Sequence, residues 1–155
     1  MANENSKQTV IVTGAGSGIG YAIAERFVER GANLLLVGRT EAKLAKAAEQ
    51  LDVPQRLDLF TGDITLPAVA ERIVNAARER FGGVDALVNN AGIFHTKPFT
   101  DNSIVELDDY IGYMRGTFAL TQAAGRLMPP HGRGGSIITT RTILAFHGIA
   151  GVSSL

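Results

Sequence analysis

The chain contains no cysteine, which removes disulfides, thiolate-bound structural zinc and cysteine nucleophiles and fits a reducing, cytoplasmic setting. It has no excess of charge either: fifteen Lys and Arg residues balance fifteen Asp and Glu, and no basic cluster interrupts the pattern. Such a neutral surface argues against nucleic acid or an anionic membrane as the main partner, and for a small ligand. The three histidines are widely separated, so no metal-ligand spacing exists. No apolar run approaches a secretory h-region or a membrane span, and residues 1–8 form a polar tail. What the 155 residues do offer is an ordinary globular mixture, 45% hydrophobic and 19% charged, expected to form a single domain spanning 1–155.

The most informative stretch is Thr13-Gly14-Ala15-Gly16-Ser17-Gly18-Ile19-Gly20, which follows the β-branched run Thr9-Val10-Ile11-Val12 and precedes a helical pattern. A glycine-rich turn between a buried strand and a helix offers bare amides and the positive end of a helix dipole to a phosphate. Ile19, Ile23 and Phe27 read as the buried stripe of that helix, and Gly31 as its stop. Asn33 to Val37 is apolar without alternation, as in a parallel strand covered on both faces. Leu44, Ala48 and Leu51 mark a second helix, Pro54 ends the region, and Arg56 to Phe60 reads as a third strand. Val69, Ile73 and Ala77 predict a third helix with Glu71, Arg72, Arg78, Glu79 and Arg80 outward and Gly82-Gly83 closing it.

Val84 to Asn89 reads as a fourth strand. Leu107, Ile111, Met114 and Phe118 predict a long fourth helix, with Met114 and Phe118 as core or helix-packing residues, running to Met128 before Pro129, Pro130 and Gly132. Ser136 to Thr140 is the fifth strand. The βαβαβαβαβ alternation predicts a doubly wound parallel sheet with helices on both faces, a three-layer α/β/α architecture.

Four landmarks in this order carry a family resemblance: Thr13-Gly14 with Gly18 and Gly20, Gly62-Asp63-Ile64-Thr65, Asn89-Asn90-Ala91-Gly92, and Gly116-Thr117-Phe118. Together they resemble the short-chain dehydrogenase/reductase family from about Thr9 to Leu155. The resemblance implies a Rossmann-type strand order 3-2-1-4-5, incomplete at the C-terminus, and a nicotinamide cofactor across the carboxyl ends of the strands. Gly14, Gly18 and Gly20 then serve the tight turn, phosphate approach and helix-on-strand packing, with Ser17 and Ile19 between them in the contact set. The resemblance gives Asp63 and Ile64 to the adenine, although Asp63 also reads as a turn or N-cap acid before the next helix. Asn89 and Asn90 carry amides able to bridge neighbouring strands, while Ala91 and Gly92 leave room for the ribose. A methyltransferase with a related sheet would leave the Asn89 to Gly92 stretch unexplained.

Cofactor preference turns on Val37-Gly38-Arg39-Thr40, where an NAD-preferring enzyme places an acid. Arg39 offers a planar fork suited to a 2′-phosphate and Thr40 adds a hydroxyl, so NADP(H) is expected, with NAD(H) as the alternative if Arg39 is simply solvated.

The catalytic set is less complete. Family spacing puts Thr142 at the serine position, with Thr140 as second choice, and Tyr113 where the family has an asparagine, three residues before Gly116. The catalytic tyrosine would fall at or just beyond Leu155, and its lysine four residues later. Two expectations follow: the front part of a longer reductase acting on a carbonyl or alcohol substrate, or a nucleotide-binding pseudoenzyme without the chemistry. His95, just after the Asn-Ala-Gly turn, reads as a local hydrogen-bonding residue, with substrate lining as the alternative; the resemblance puts substrate contacts in the loop after strand five, where His147 lies, and His131 is on a surface turn. The family's fourth helix often packs on its symmetry mate, which implies a homo-oligomer with Tyr110 and Tyr113 at the interface.

Overall fold

The computed structural model describes residues 7–128 and 134–141. Five strands alternate with four helices along that chain: β1 (Thr9–Thr13), α1 (Gly18–Glu29), β2 (Asn33–Gly38), α2 (Glu41–Leu51), β3 (Leu57–Thr61), α3 (Pro67–Phe81), β4 (Ala86–Asn89), α4 (Ile104–Leu127) and β5 (Ser136–Thr139). Short 3₁₀ turns occupy Pro54–Arg56 and Phe99–Asp101. The strands form one sheet in the order β3-β2-β1-β4-β5, and every neighbouring pair is parallel. This is the Rossmann-type order, a parallel sheet flanked by helices.

The period of two along each strand explains why the apolar runs do not alternate. Val10, Val12, Leu34, Leu36 and Val88 point to one face and pack with Ala24, Leu44, Ala47 and Leu51 of α1 and α2. Ile11, Leu35, Val37 and Leu87 point to the other and meet Ile73, Val74 and Ala77 of α3 and Leu120, Ala123 and Ala124 of α4. The third strand begins one residue later than expected, because Pro54 opens a 3₁₀ turn that takes in Arg56. The Arg56 guanidinium donates to the carbonyls of Ala32 (3.0 Å) and Val28 (3.4 Å), tying that turn to the end of α1. The fourth strand begins at Ala86, with Val84 buried ahead of it.

Two helix faces differ from the expected stripes. Ile19 is 68% exposed, and α1 buries Gly20 and Ala24 instead, with Ile23 and Phe27 partly packed. On α4, Met114 and Phe118 are 64% and 69% exposed; they are not core residues, and Ile111 is exposed with them. The buried stripe is Gly112, Gly116, Leu120, Ala123 and Ala124. The cause is closeness of approach: a Cβ on Gly116 would fall on the carbonyl of Ile64, and one on Gly112 would stand 3.3 Å from Thr65 Cβ. Glycine at 112 and 116 lets the helix backbone come so near that loop. Leu120 is buried further along the same face, while Ile111, Met114 and Phe118 are turned outward.

Candidate nucleotide-binding site

At the carboxyl end of the sheet, three strand ends are laced together around the buried Thr13. Its hydroxyl donates to the Val88 carbonyl (3.2 Å) and accepts from the amides of Asn90 (2.9 Å) and Ala91 (3.0 Å). The Asn90 amide group donates to the Thr13 carbonyl (3.1 Å) and accepts from the Thr140 hydroxyl (3.2 Å), bridging β1 to the end of β5. Asn89 reaches the other way, donating to Thr121 Oγ1 on α4 (3.0 Å). Its Oδ1 is buried and has no partner among the described residues. These bonds tie the ends of β1, β4 and β5 to one another beside a cleft.

That cleft, of about 340 Å³, is lined by Gly14, Ser17, Val37, Gly38, Arg39, Lys43, Gly62, Ile64, Asn90, Ala91, Gly92 and Tyr113. Each glycine of the first turn does a separate thing. Gly14 sits at φ +68°, where a side chain is strained, and makes the turn out of β1. Gly18 sits at φ +55° with nothing within 4 Å of a Cβ position, so the space above the first turn of α1 is open. Gly20 is buried against Gly14 and Asn90, where a Cβ would be 2.6 Å from Asn90 Nδ2. Ser17, the N-cap of α1, makes no side-chain capping bond, which leaves the first-turn amides to an incoming anion.

Of the residues singled out in the sequence, Gly14, Ser17, Arg39, Ile64, Asn90, Ala91, Gly92 and Tyr113 converge on this cleft. Gly18, Ile19, Gly20, Thr40 and Asp63 lie beside it rather than in its lining. Ile19 belongs to a shallow apolar groove on the outer face of α1 with Ala22, Ile23 and Phe27. Thr40 is the N-cap of α2 with no side-chain capping bond. Asp63 Oδ1 accepts from the Thr65 amide (2.9 Å), the turn role that its position also suggested. Lys43, in the first turn of α2, was not anticipated.

Tyr113 faces the cleft from α4, with the Arg39 guanidinium 5.8 Å from its ring centroid. Burial pushes its phenol above the ordinary range, Arg39 opposes this, and Asp63 and Asp109 add to the rise. Burial thus favours its protonated form. A second cleft of about 540 Å³ adjoins the first, shares Ala91, Gly92 and Tyr113, and is lined further by Asn89, Tyr110, Met114, Phe118, Thr121, Thr140 and Arg141. The Thr140 hydroxyl is engaged by Asn90, and the His95 amide donates to Tyr110 Oη (3.1 Å), with their rings edge to face. Thr142, His131, His147 and Leu155 lie outside the described residues. Among the described residues no group of three His, Cys, Asp or Glu could hold a metal, and no helix is long and apolar enough to cross a membrane.

Strand order reverses between β1 and β4, and the glycine turn, the open first turn of α1 and the cleft all lie at that switch point. These features define a dinucleotide-binding doubly wound α/β protein. Comparison with known proteins narrows this. The family model for "short chain dehydrogenase" matches residues 8–154. An uncharacterized oxidoreductase of Staphylococcus epidermidis is 35% identical over 118 residues, 76% of this chain and 50% of that protein. Another, of Mycobacterium tuberculosis, is 35% identical over 148 residues, 92% of this chain and 56% of that protein. The crystal structure of a Brucella melitensis protein described as "Short-chain dehydrogenase/reductase SDR:Glucose/ribitol dehydrogenase" superposes with a TM-score of 0.88 at 36% identity, covering 98% of this chain and 63% of that one. The chain belongs to the short-chain dehydrogenase/reductase family. It spans about half the length of the curated relatives it matches.

Members of this family bind NAD or NADP. The residues present fit such a dinucleotide: the cradle above Gly18 is empty of protein atoms, α1 offers uncapped amides, and the cleft carries Arg39 and Lys43 in its lining.

Proposed function

We propose that this chain is the nucleotide-binding part of an NADP-dependent oxidoreductase that interconverts a carbonyl and an alcohol. When bound, the nicotinamide would exchange hydride with the substrate carbon. The chain's own residues do the holding. Gly14, Ser17 and the first turn of α1 receive the diphosphate, Ala91 and Gly92 leave space for a ribose, and Arg39 meets the 2′-phosphate. The observation that carries the reading is Arg39 in the cleft, at the end of β2, with Gly38 before it and no carboxylate there to receive a 2′-hydroxyl. In this reading Thr142 stands at the serine position and orients the substrate carbonyl, and the protonated Tyr113 phenol is a hydrogen-bond donor at the cleft wall.

Titration of the cofactor's fluorescence tests it. Binding of NADPH in preference to NADH is expected, and Arg39→Ala should cost about 1–3 kcal/mol for NADPH alone, the value of a charge-assisted contact left unmade. Equal loss for both cofactors would refute the assignment. A second reading, nucleotide binding without catalysis, is favoured by Tyr113, whose phenol cannot reproduce an amide's paired donor and acceptor. The chain alone should show no turnover under either reading; turnover of NADPH with simple carbonyl substrates by a longer protein that carries the tyrosine and lysine separates the two. The exposed Ile111, Met114 and Phe118 on α4 support a homo-oligomer built through that helix, which light scattering would detect.

A further inference from the structure

We infer that the ring of Tyr113 is the stacking surface for the purine base of an incoming dinucleotide, a contact this chain places where its family has an asparagine amide. The inference rests on the nucleotide-binding reading above but not on the choice between NADP and NAD, which share that base. Strand register sets the direction of the cleft. Thr13 lies beside Val37 and Gly38 beside Thr61, so the lining passes from the glycine turn after β1, over the end of β2, to Gly62 and Ile64 after β3. With the diphosphate at the glycine turn, the far end is left for a nucleoside. Tyr113 reaches that end from α4. It stands between Gly112 and Gly116, the two glycines whose missing side chains bring the helix backbone against Ile64 and Thr65.

The surroundings of the ring suit a flat heteroaromatic group. Gly38, Gly62 and Gly92 line the cleft without side chains, and the apolar area beside them comes from Ile64 and Tyr113. The nearby Asp63 carboxylate is already engaged, since its Oδ1 accepts from the Thr65 amide. Tyr113 is half-buried and packs against the core cluster that includes Ile64 and Leu120, which fixes the ring in place. The Arg39 guanidinium lies over the ring, so a face and not an edge is turned toward the cleft. At 5.8 Å from the centroid it stands near the outer limit of about 6 Å for such a contact, which leaves the face open to closer stacking. A π-face is what a base recognises when few hydrogen-bonding side chains surround it. An asparagine here would supply an amide and no comparable flat area.

The test is calorimetric titration of ADP, UDP, NADH and NADPH into the chain and its Tyr113→Phe, Tyr113→Leu and Tyr113→Ala variants, with circular dichroism beside each. ADP and UDP share a ribose diphosphate and differ only in the base. Tyr113→Ala should weaken ADP, NADH and NADPH about tenfold and UDP less than about threefold, as for a lost base–aromatic stack, while Tyr113→Phe stays within about twofold throughout. Tyr113→Leu keeps apolar bulk against the core and should follow Tyr113→Ala, which preserves the test if the alanine variant fails to fold. The chain has no tryptophan, so its emission comes from tyrosine; ADP should quench it in the unmodified chain and not in Tyr113→Phe. Unchanged ADP affinity in folded Tyr113→Leu overturns the inference and leaves Tyr113 to the second cleft. Equal weakening of ADP and UDP also overturns it, since Tyr113 would then act by packing. So does a loss in Tyr113→Phe as large as in Tyr113→Ala, because the hydroxyl would be the contact. An unmodified chain that binds none of the four ligands removes the nucleotide-binding reading and this inference together. Equal affinity for NADPH and NADH removes only the NADP preference and leaves the stacking role intact.

Discussion

Replacing Gly20 with alanine puts the packing of α1 on the sheet to a quantitative test. The added Cβ would fall on the Gly14 carbonyl oxygen, 2.7 Å from that residue's carbonyl carbon and 2.6 Å from Asn90 Nδ2. Each is inside the 3.0 Å that real Cβ contacts essentially never breach. Neither neighbour is a flexible side-chain tip, because the Asn90 amide is held by the Thr13 carbonyl and the Thr140 hydroxyl. Helix α1 must withdraw, at the ~1–3 kcal/mol typical of overpacking. Disturbing the Asn90 bond adds about 1 kcal/mol. Alanine's better helix propensity returns only ~0.5–1 kcal/mol. The net expectation is a loss of about 2 kcal/mol, or about 1 M in the urea midpoint for a domain of this size. Gly18→Ala is the control: its Cβ meets nothing within 4 Å, and only the left-handed φ of +55° is strained. That costs ~1–2 kcal/mol, reduced by about half through the stiffer unfolded chain. Urea unfolding followed by far-ultraviolet circular dichroism should rank Gly20→Ala as clearly the less stable. A Gly20→Ala protein as stable as the unmodified chain, or less affected than Gly18→Ala, would refute the account of how α1 seats on β1.

Two further outcomes test other parts of the fold. Leu120→Ala should cost about 2–5 kcal/mol and Phe118→Ala less than about 1 kcal/mol, since Leu120 is fully buried and Phe118 points outward; comparable losses from the two would restore Phe118 to the core. Glu106 caps α4 through a reciprocal box with Ser103, and Lys97 (2.6 Å), followed by the Ser103 amide and hydroxyl, lowers its carboxyl to about 2. A lowered carboxyl stabilises the native state above its unfolded value of 4.5, and this contribution disappears as pH falls from there toward about 2. Hydrogen exchange at the amides of Glu106 and Leu107 should therefore accelerate below pH 4.5, beyond its intrinsic pH dependence, in the native chain. In Glu106→Gln this acid-induced change should be absent; its persistence there would exclude Glu106 as the group responsible.

Much of this molecule was determined by sequence alone. The unalternating runs at Val10 to Val12 and Leu34 to Val37 require strands covered on both faces, and their alternation with helical periods leads to a parallel sheet. The glycines at 14, 18 and 20 and the amide of Asn90 were legible because turn, open cradle, close packing and strand bridge each demand one residue type. Tertiary structure alone decided the rest. Periodicity ranks side chains by hydrophobicity, so it chose Met114 and Phe118 for the core of α4, whereas the distance to the Ile64 carbonyl chose Gly112 and Gly116. Ile19 was misplaced for the same reason, beside a Gly20 that sits nearer the sheet than any isoleucine could. Asp63 looked like a ligand residue and is also the acceptor of its own turn. Lys43 was not singled out in the sequence. It became part of a cleft only because Gly16 lets α2 rest against the phosphate-binding turn, a contact between residues far apart in sequence that no local pattern records.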